Sequence, residues 1–290
     1  MSENEMDLSF SIEKRSNLHP DCENCFGLCC VALYFSVSEG FPIDKNAGEP
    51  CPNLEQDFRC CIHNNLLEHG LKGCIAFECF GAGQKVSKVS FDGRDWRKAP
   101  ESSEQMFKVF LFMRQLHELL WYLTEALTLQ PASPIHDVLS SMLYETEQVT
   151  CLRPDLLMQL DLVAYRAKVN TLLLRSSELV RSEVLHGLKT HRGSKKTFGR
   201  GADLIACDLR KIDLRGANLR GAYLIAADLR GVDLNGTDFI GADFRDIDIR
   251  GADLSKSIFL TQAQLNVAKG DVSTKLPPLL IHPKHWSVST

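Results

Sequence analysis

Residues 200–259 read RGADL-IACDL-RKIDL-RGANL-RGAYL-IAADL-RGVDL-NGTDF-IGADF-RDIDI-RGADL-SKSIF, which is twelve consecutive units of five residues. The last residue of each unit is Leu, Phe or Ile, and the residue two places earlier is small or of modest size. Residues two apart lie on the same side of an extended segment, so both can face inward if the chain bends once in each unit. Four bends close a square coil, and twelve units therefore predict three stacked coils.

The remaining positions of each unit face outward or form the bend. Asp stands between the two inward residues in nine units, and glycine occupies the bend in seven. Glycine suits a corner because it adopts positive φ without steric cost. This A-[DN]-L-x-x pattern resembles the pentapeptide-repeat proteins, and the resemblance implies a right-handed quadrilateral β-helix over residues 200–260. It implies no reaction, because function resides in sites and not in folds.

The composition predicts a soluble protein of two or three domains. The chain has 290 residues, of which 44% are hydrophobic and 24% charged, and its formal net charge is −4. A negative charge argues against general nucleic-acid binding. The first fifteen residues lack an apolar core and no apolar run is long enough to span a membrane, so we expect no export signal, no membrane association and a cytoplasmic location.

Nine of the eleven cysteines lie between Cys22 and Cys79. In a reducing compartment such a cluster favours metal binding over disulfides. The opening C-x2-C-x3-CC, a later Cys51–Pro52 and a Cys-x-Ile at Cys60 resemble a cysteine-cluster family described as zinc- or iron-chelating. Here His63 replaces the usual Tyr, the usual Arg-Pro is absent and Cys61 is additional. The resemblance implies eight ligands, with Cys61 and His63 in reserve: Cys22, Cys25, Cys29, Cys30, Cys51, Cys60, Cys74 and Cys79.

The ligand type leaves several cofactors open. Eight thiolates can hold two Zn²⁺ ions, or one iron–sulfur cluster and one ion, and free or redox-switching thiols are a third reading. Structural zinc is the favoured cofactor, because closely spaced cysteine pairs supply two ligands of a tetrahedral ion. The sequence thus predicts a cysteine-rich metal-binding module over residues 1–100.

Apolar periodicity predicts a helical bundle over residues 101–186. One helix is expected over 102–129, capped by Ser102 or Ser103, and a second over about 135–149. A third should run from Pro154 towards Leu185, and its apolar stripe is Leu156, Leu160, Val163, Ala167, Leu174 and Leu179. A basic linker over 187–199 leads to the repeat. These elements together predict an α+β multidomain chain.

The C-terminal residues 261–290 are predicted to cap the repeat. A stacked coil leaves its last edge and its apolar interior open, so it needs a cap. We expect a short amphipathic helix over about 261–269, ended by Gly270. On the flanks, the outward apolar residues Ile205, Tyr223 and Ile225 are predicted to pack against the helical bundle. Arg210, Arg230 and Arg250 form a column that is read either as an Asp–Arg lattice or as an anion-binding stripe.

Three stretches resemble one bacterial group of pentapeptide-repeat proteins, some of which are named for resistance to the nucleoside antibiotic oxetanocin A: residues 21–30, 113–129 and 259–271. Two hypotheses for function follow. One is a non-catalytic interaction or protection protein with a structural metal cluster; the other is a metal- or redox-dependent enzyme or sensor centred on the cysteines. Ten Asp against seven Arg and two Lys leave the repeat almost neutral, which argues against imitation of DNA.

Overall fold

The structure is a computed structural model that describes residues 15–188 and 198–287. The chain divides into two compact units. The first comprises Met1–Thr128 and Ile135–Leu173, and the second comprises Leu129–Pro134 and Leu174–Thr290. The division falls inside a long helix, and most of the predicted linker, residues 189–197, lies outside the described residues.

Helices account for most of the regular structure described before the repeat, and a short α-helix follows it. They are α1 (Leu28–Ala32), α2 (Lys72–Ile75), α3 (Ala82–Lys85), α4 (Pro100–Ala126), α5 (His136–Val149), α6 (Pro154–Leu157), α7 (Leu162–Leu188) and α8 (Gln262–Asn266). A π-helical turn, Val86–Ser90, continues α3. The described residues also include short 3-10 segments at Ser16–Leu18, Cys22–Asn24, Val37–Glu39, His63–Asn65, Gln130–Ile135 and Lys284–Ser287.

Helix α4 forms the centre of the first unit. It buries a side chain at nearly every turn, including Met106, Phe110 and Met113, as its periodicity predicts. The predicted serine cap is wrong: the helix begins at Pro100, and Ser102 Oγ donates back to the carbonyl of Ala99 at 3.0 Å. Proline is favourable in the first turn because the N–H that it lacks has no partner inside the helix there.

The second predicted helix is confirmed as α5, but the third is interrupted. Helix α6 ends at Leu157, and α7 begins after Asp161, whose Oδ1 accepts the backbone N–H of Ala164 at 3.0 Å. This new start shifts the phase of the buried face. Leu162, Tyr165, Val169 and Leu173 are buried, whereas Val163 of the predicted stripe is 80% exposed.

The repeat forms coils of twenty residues, as predicted. Isolated parallel bridges join Asp203 to Tyr223, Asp208 to Asp228 and Asn218 to Asp238, and the same spacing recurs through Asp238 and Ile258. Within the described residues these contacts are single bridges and not extended strands. The inward positions are buried as expected; Leu214, Leu224, Leu234 and Phe244 are at most 1% exposed.

Each unit bends at a tight turn, and most of these turns place a residue at positive φ. The N–H of Ala222 donates to the carbonyl of Leu219 across one turn, and Gly221 between them has φ 62°. A type II turn requires this conformation at its third residue. One column of corners has no glycine: Ala206, Ala226 and Asp246 adopt φ of 53°, 55° and 57°.

The C-terminal residues cap the coil, although the cap is shorter as a helix than predicted. Helix α8 is capped by Thr261, whose side chain and that of Gln264 form a reciprocal capping box. The helix ends at Asn266, and Lys269 and Lys275 then bridge to Asp248 and Asp253, so the chain resumes the coil. Gly270 does not end a helix; a Cβ there would lie 2.5 Å from the ring of Trp286.

The predicted packing of the Ile205 face is wrong. Ile205 is 49% exposed and Tyr223 52% exposed. In the second unit, the last turns of α7 lie instead against the glycine corners Gly216 and Gly236: a Cβ on Gly216 would be 3.1 Å from Leu185, and one on Gly236 would be 2.7 Å from Val184. Corners without a Cβ allow the helix to approach closely, which the bulkier Ile and Tyr side chains do not.

Candidate functional site

The eight candidate cysteines all lie in the first unit, on short helices and the loops between them. Cys22 begins a 3-10 turn, Cys29 and Cys30 lie in α1, and Cys74 lies in α2. One backbone contact joins the following loop to α1, where Cys51 N–H donates to the carbonyl of Cys30 at 2.9 Å. Farther along that loop, Cys60 forms an antiparallel bridge with Leu54.

Three thiols form the tightest group. Cys29 Sγ lies 3.9 Å from Cys30 Sγ, and Cys30 also hydrogen-bonds to Cys60. Hydrogen bonding between Cys30 and these two neighbours raises the pKa of Cys30 and lowers the pKa of Cys29 and Cys60, in the last case to about 6. Hydrogen bonds to a thiolate stabilise its charged form.

The other thiols are held in the neutral form. Burial raises the pKa of Cys25 to about 11 and that of Cys74 and Cys79 to about 12. Negative charge on Cys29 raises the pKa of all three further, and charge on Cys51 and Cys60 also raises the pKa of Cys74. Burial also raises the pKa of Cys22 and Cys51, and negative charge on Cys60 raises both pKa values further. Each of the eight thiols therefore interacts electrostatically with at least one other, and a bound cation would stabilise their ionised forms.

The geometry stops short of a formed metal centre. Among residues 15–188 and 198–287, no three His, Cys, Asp or Glu side chains are arranged to hold a metal ion. The chemistry of the donors nevertheless fits a soft or borderline cation, since every candidate is a thiol. The two reserve residues, Cys61 and His63, are both exposed.

A partly buried carboxyl group beside the thiols was missed by sequence reasoning. Burial raises the pKa of Glu78 to about 7, and the carboxylate raises the pKa of Cys22 and Cys79. Its Oε1 accepts the backbone N–H of Phe80 at 3.3 Å. The available signal was its position next to Cys79, because an acidic residue adjacent to a ligand can enter the same site.

An arginine and an aromatic cluster hold the loop that precedes Cys60. Arg97 donates to the carbonyls of Gln56 at 2.8 Å and Glu55 at 2.9 Å, and its guanidinium lies 4.3 Å from the centre of the Phe58 ring. Trp96 Nε1 donates to the carbonyl of Phe26 at 2.9 Å. Because these contacts join the loop around residue 58 to the turn before Cys29, they position two parts of the thiol group.

The arginine column on the coil is an Asp–Arg lattice. Arg230 contacts Asp228 at 2.6 Å and Asp248 at 3.7 Å, and Arg210 contacts Asp208 at 2.7 Å and Asp228 at 3.3 Å. Both nitrogens of each guanidinium edge face the two carboxylate oxygens of the adjacent Asp. The lattice neutralises its own charge, which leaves little attraction for an anion.

A buried ion pair lies where α7 meets the coil, and sequence reasoning missed it too. Arg220 Nη1 donates to Asp238 Oδ2 at 2.9 Å, and the two residues are 4% and 0% exposed. Arg181 of α7 donates to the carbonyl of Gly216 at 3.0 Å and adds positive charge near Asp238. Asp238 therefore differs from the exposed Asp of the lattice although it occupies the same place in the five-residue unit.

Comparison with known proteins agrees with the coil geometry. A family profile described as pentapeptide repeats matches residues 200–236 and 217–255, with eight copies of the repeat. The uncharacterized protein YybG of Bacillus subtilis (strain 168) is 52% identical over 283 residues, which is 96% of this chain and all of YybG. The chain belongs to the pentapeptide-repeat family.

The likeness to YybG extends well beyond the repeat itself, since it spans almost the whole of both chains. Among solved structures, the pentapeptide-repeat protein Rfr23 from the cyanobacterium Cyanothece 51142 is similar at 22% identity, over 30% of this chain and 69% of that chain, with a TM-score of 0.20. No helix in the described part of this pentapeptide-repeat protein is long and apolar enough to cross a membrane.

Proposed function

We propose that this pentapeptide-repeat protein is a non-catalytic binding protein, in which a structural metal stabilises the cysteine module and the coil supplies a rigid surface. The observation that supports the metal is that the eight thiols lie in one unit and that the pKa of each is raised or lowered by another, which indicates that they are close together. In this proposal the coil is a right-handed quadrilateral β-helix, and the protein is cytoplasmic, where the thiols remain reduced.

The proposed ligands are Cys22, Cys25, Cys29, Cys30, Cys51, Cys60, Cys74 and Cys79, and the proposed metal is Zn²⁺. Bound zinc would supply positive charge and cross-link the loops, which a module of short helices needs because its own apolar core is small. The chain positions the thiols through the Cys51–Cys30 backbone contact and the Arg97 contacts.

The test is metal analysis of full-length protein purified without oxygen. We expect about two zinc ions per chain, each with sulfur ligands only by X-ray absorption. Substitution Cys74→Ser should lower the zinc content, whereas the matched change Cys61→Ser at the exposed neighbouring position should leave it unchanged. Metal-free wild-type protein, or an equal loss in both variants, would overturn the proposal.

A redox or iron–sulfur sensor is the second candidate, and a specific observation favours it. The pKa of Cys60 is lowered to about 6 beside the Cys30 thiol, so Cys60 is ionised at neutral pH, as a reactive thiol must be. Brown protein with iron and inorganic sulfide would support the cluster. Reversible oxidation of the Cys30 and Cys60 thiols in metal-free protein would support the switch.

A role in resistance to a nucleoside antibiotic is a further part of the proposal. It rests on the resemblance of three stretches of the chain to resistance-named proteins. Deletion of the gene should increase sensitivity to oxetanocin A, and the wild-type gene should restore resistance. Unchanged sensitivity of the deletion strain would remove this part and leave the metal proposal standing.

A further inference from the structure

Lys45 carries its ammonium group into the interior of the cysteine module. The residue is 6% exposed. Its Nζ lies 2.6 Å from the carbonyl oxygen of Leu33, 2.7 Å from that of Glu49, 2.9 Å from that of Asn46 and 3.4 Å from that of Val31. An ammonium has three N–H donors, so these carbonyls satisfy all of them.

All four carbonyls belong to one segment, which begins in the last turn of α1 and is called the loop below, and candidate ligands flank it at both ends. Residues 31–50 connect Cys30 to Cys51. The ends meet where Cys51 N–H donates to the carbonyl of Cys30 at 2.9 Å, and Gly48 N–H donates to the carbonyl of Val31 at 2.8 Å. Lys45 itself pairs with Phe35 in an antiparallel bridge, and its Nζ lies 4.7 Å from the centre of the Phe35 ring.

A buried cation needs compensation, and here the backbone supplies it. The four carbonyls come from both halves of the loop, two before Phe35 and two after Lys45, so one ammonium ties the halves together. A guanidinium is planar and larger, and therefore cannot occupy the same position among these oxygens.

We infer that Lys45 is a positioning residue of the cysteine cluster: its ammonium closes the loop over residues 31–50 and holds the Cys51 thiol beside Cys30. The inference rests on the proposed cluster, because the loop helps to place ligands only if Cys30 and Cys51 are ligands. It predicts that the position of Cys51 depends on a compact cation at residue 45 even before any metal binds.

The experiment measures the alkylation rate of each cysteine by mass spectrometry in full-length, reduced, metal-free protein. Cys51 is 6% exposed, so its alkylation reports opening of the loop. We expect Lys45→Met to increase the alkylation rate of Cys51 at least about tenfold, because the loop opens locally. The matched control is Lys98→Met in the same module, where the side chain is 89% exposed and its Nζ lies 3.2 Å from Asp95 Oδ2.

Two further variants distinguish positioning from general loss of structure. Lys45→Arg should increase the alkylation rate of Cys51 as Lys45→Met does. The guanidinium keeps the positive charge, but its shape does not fit among the carbonyl oxygens. In Lys45→Ala, added ethylammonium should slow Cys51 alkylation towards the wild-type rate and should leave Lys98→Met unaffected. A wild-type Cys51 rate in Lys45→Met would overturn the inference. Equal acceleration of all eight cysteines without rescue by ethylammonium would overturn it as well.

This outcome is separate from that of the metal analysis. Zinc content of the wild-type protein decides the proposed function, whereas Cys51 protection in metal-free protein decides the role of Lys45. Wild-type protein without zinc but with a Lys45-dependent Cys51 rate would reject the metal and support the positioning role.

Discussion

At the scale of single residues, one column of corners in the coil holds non-glycine residues in a backbone conformation that favours glycine. Ala206, Ala226 and Asp246 occupy one column at positive φ, where most corners of the coil have glycine. A left-handed conformation costs a residue with a Cβ roughly 1–2 kcal/mol. The column therefore holds strain that the surrounding hydrogen bonds maintain, such as Ala226 N–H to the carbonyl of Arg245 at 2.9 Å.

Substitution Ala226→Gly should relieve this strain. We expect the free energy of unfolding to rise by about 0.5–1 kcal/mol, because the relief exceeds the extra entropy of glycine in the unfolded chain. Chemical denaturation of the full-length protein measures it. The control Ala222→Gly removes a fully buried methyl group outside the positive-φ positions and should lower stability by about 1–2 kcal/mol. Two destabilised variants would contradict the strain argument.

The buried Arg220–Asp238 ion pair predicts that removing a buried charge costs more stability than changing an exposed one. Substitution Asp238→Ala leaves the Arg220 guanidinium buried without its carboxylate and should cost about 3–5 kcal/mol. Charge reversal at the exposed lattice residue, Arg230→Glu, should change the melting temperature far less, since water screens that site. Thermal unfolding of both variants provides the comparison. Equal shifts in melting temperature would show that burial does not increase the contribution of the pair to stability.

At the scale of elements, a histidine joins helix α4 to the turn before α3. His117 is 4% exposed, and its Nδ1 lies 2.7 Å from the carbonyl oxygen of Phe80. Burial lowers the pKa of His117 to about 4 from an ordinary 6.5. The folded protein therefore keeps the imidazole neutral at a pH where the unfolded chain binds a proton.

This pKa shift predicts loss of stability in acid. The contribution of His117 is fully present above pH 6.5 and is lost as the pH falls through about 4. Between pH 7 and pH 5 the first unit should lose about 2 kcal/mol from this residue alone. Denaturation of His117→Gln should show a shallower pH dependence than wild type by that amount. The same slope in both proteins would assign the acid sensitivity to other groups.

The C-terminal cap makes a second prediction at this scale. Leu260 and Leu265 are 2% and 0% exposed, and Lys269 and Lys275 cover the edge of the last coil through bridges to Asp248 and Asp253. Truncation after Phe259 would leave that edge and the apolar interior open, so the protein should aggregate. Size-exclusion chromatography measures the result, with truncation after Ser287 as the control. A monomeric, soluble Phe259 truncate would refute the capping role.

At the scale of the whole molecule, the two compact units depend on different stabilising interactions. The first unit places its thiols on short helices and loops, whereas the repeat has a regular buried stack of Leu and Phe. Under the proposed function, a bound metal would supply part of the folding free energy of the cysteine module, whereas the stacked coil would not depend on it.

Chelation should therefore affect the two units unequally. After metal removal, we expect hydrogen exchange to increase throughout residues 22–79 and to remain slow at the coil positions that include Leu224 and Leu234. Mass spectrometry of deuterated full-length protein measures both regions at once. Unchanged exchange around the cysteines, or equal loosening of the coil, would argue against a structural metal in the first unit.

Local pattern was enough for the parts of the molecule that repeat. A period of five with two inward positions has few solutions, so the coil of four units, its buried Leu and Phe and the need for a cap follow from the sequence. Helices α4 and α5 follow in the same way from their 3.6-residue period. The choice of eight cysteines rests on the resemblance of residues 22–79 to the cysteine-cluster family.

Only the tertiary structure decided which surfaces meet and which polar groups are buried. Asp238 and Asp228 occupy the same place in their units, yet α7 covers only the former. Asp161 restarts a helix that periodicity extends through it, and the buried stripe then changes phase. Lys45 and Glu78 look like ordinary surface charges in the sequence. Burial depends on contacts between distant segments, such as Lys45 with the carbonyl of Val31, and a local pattern carries no information about them.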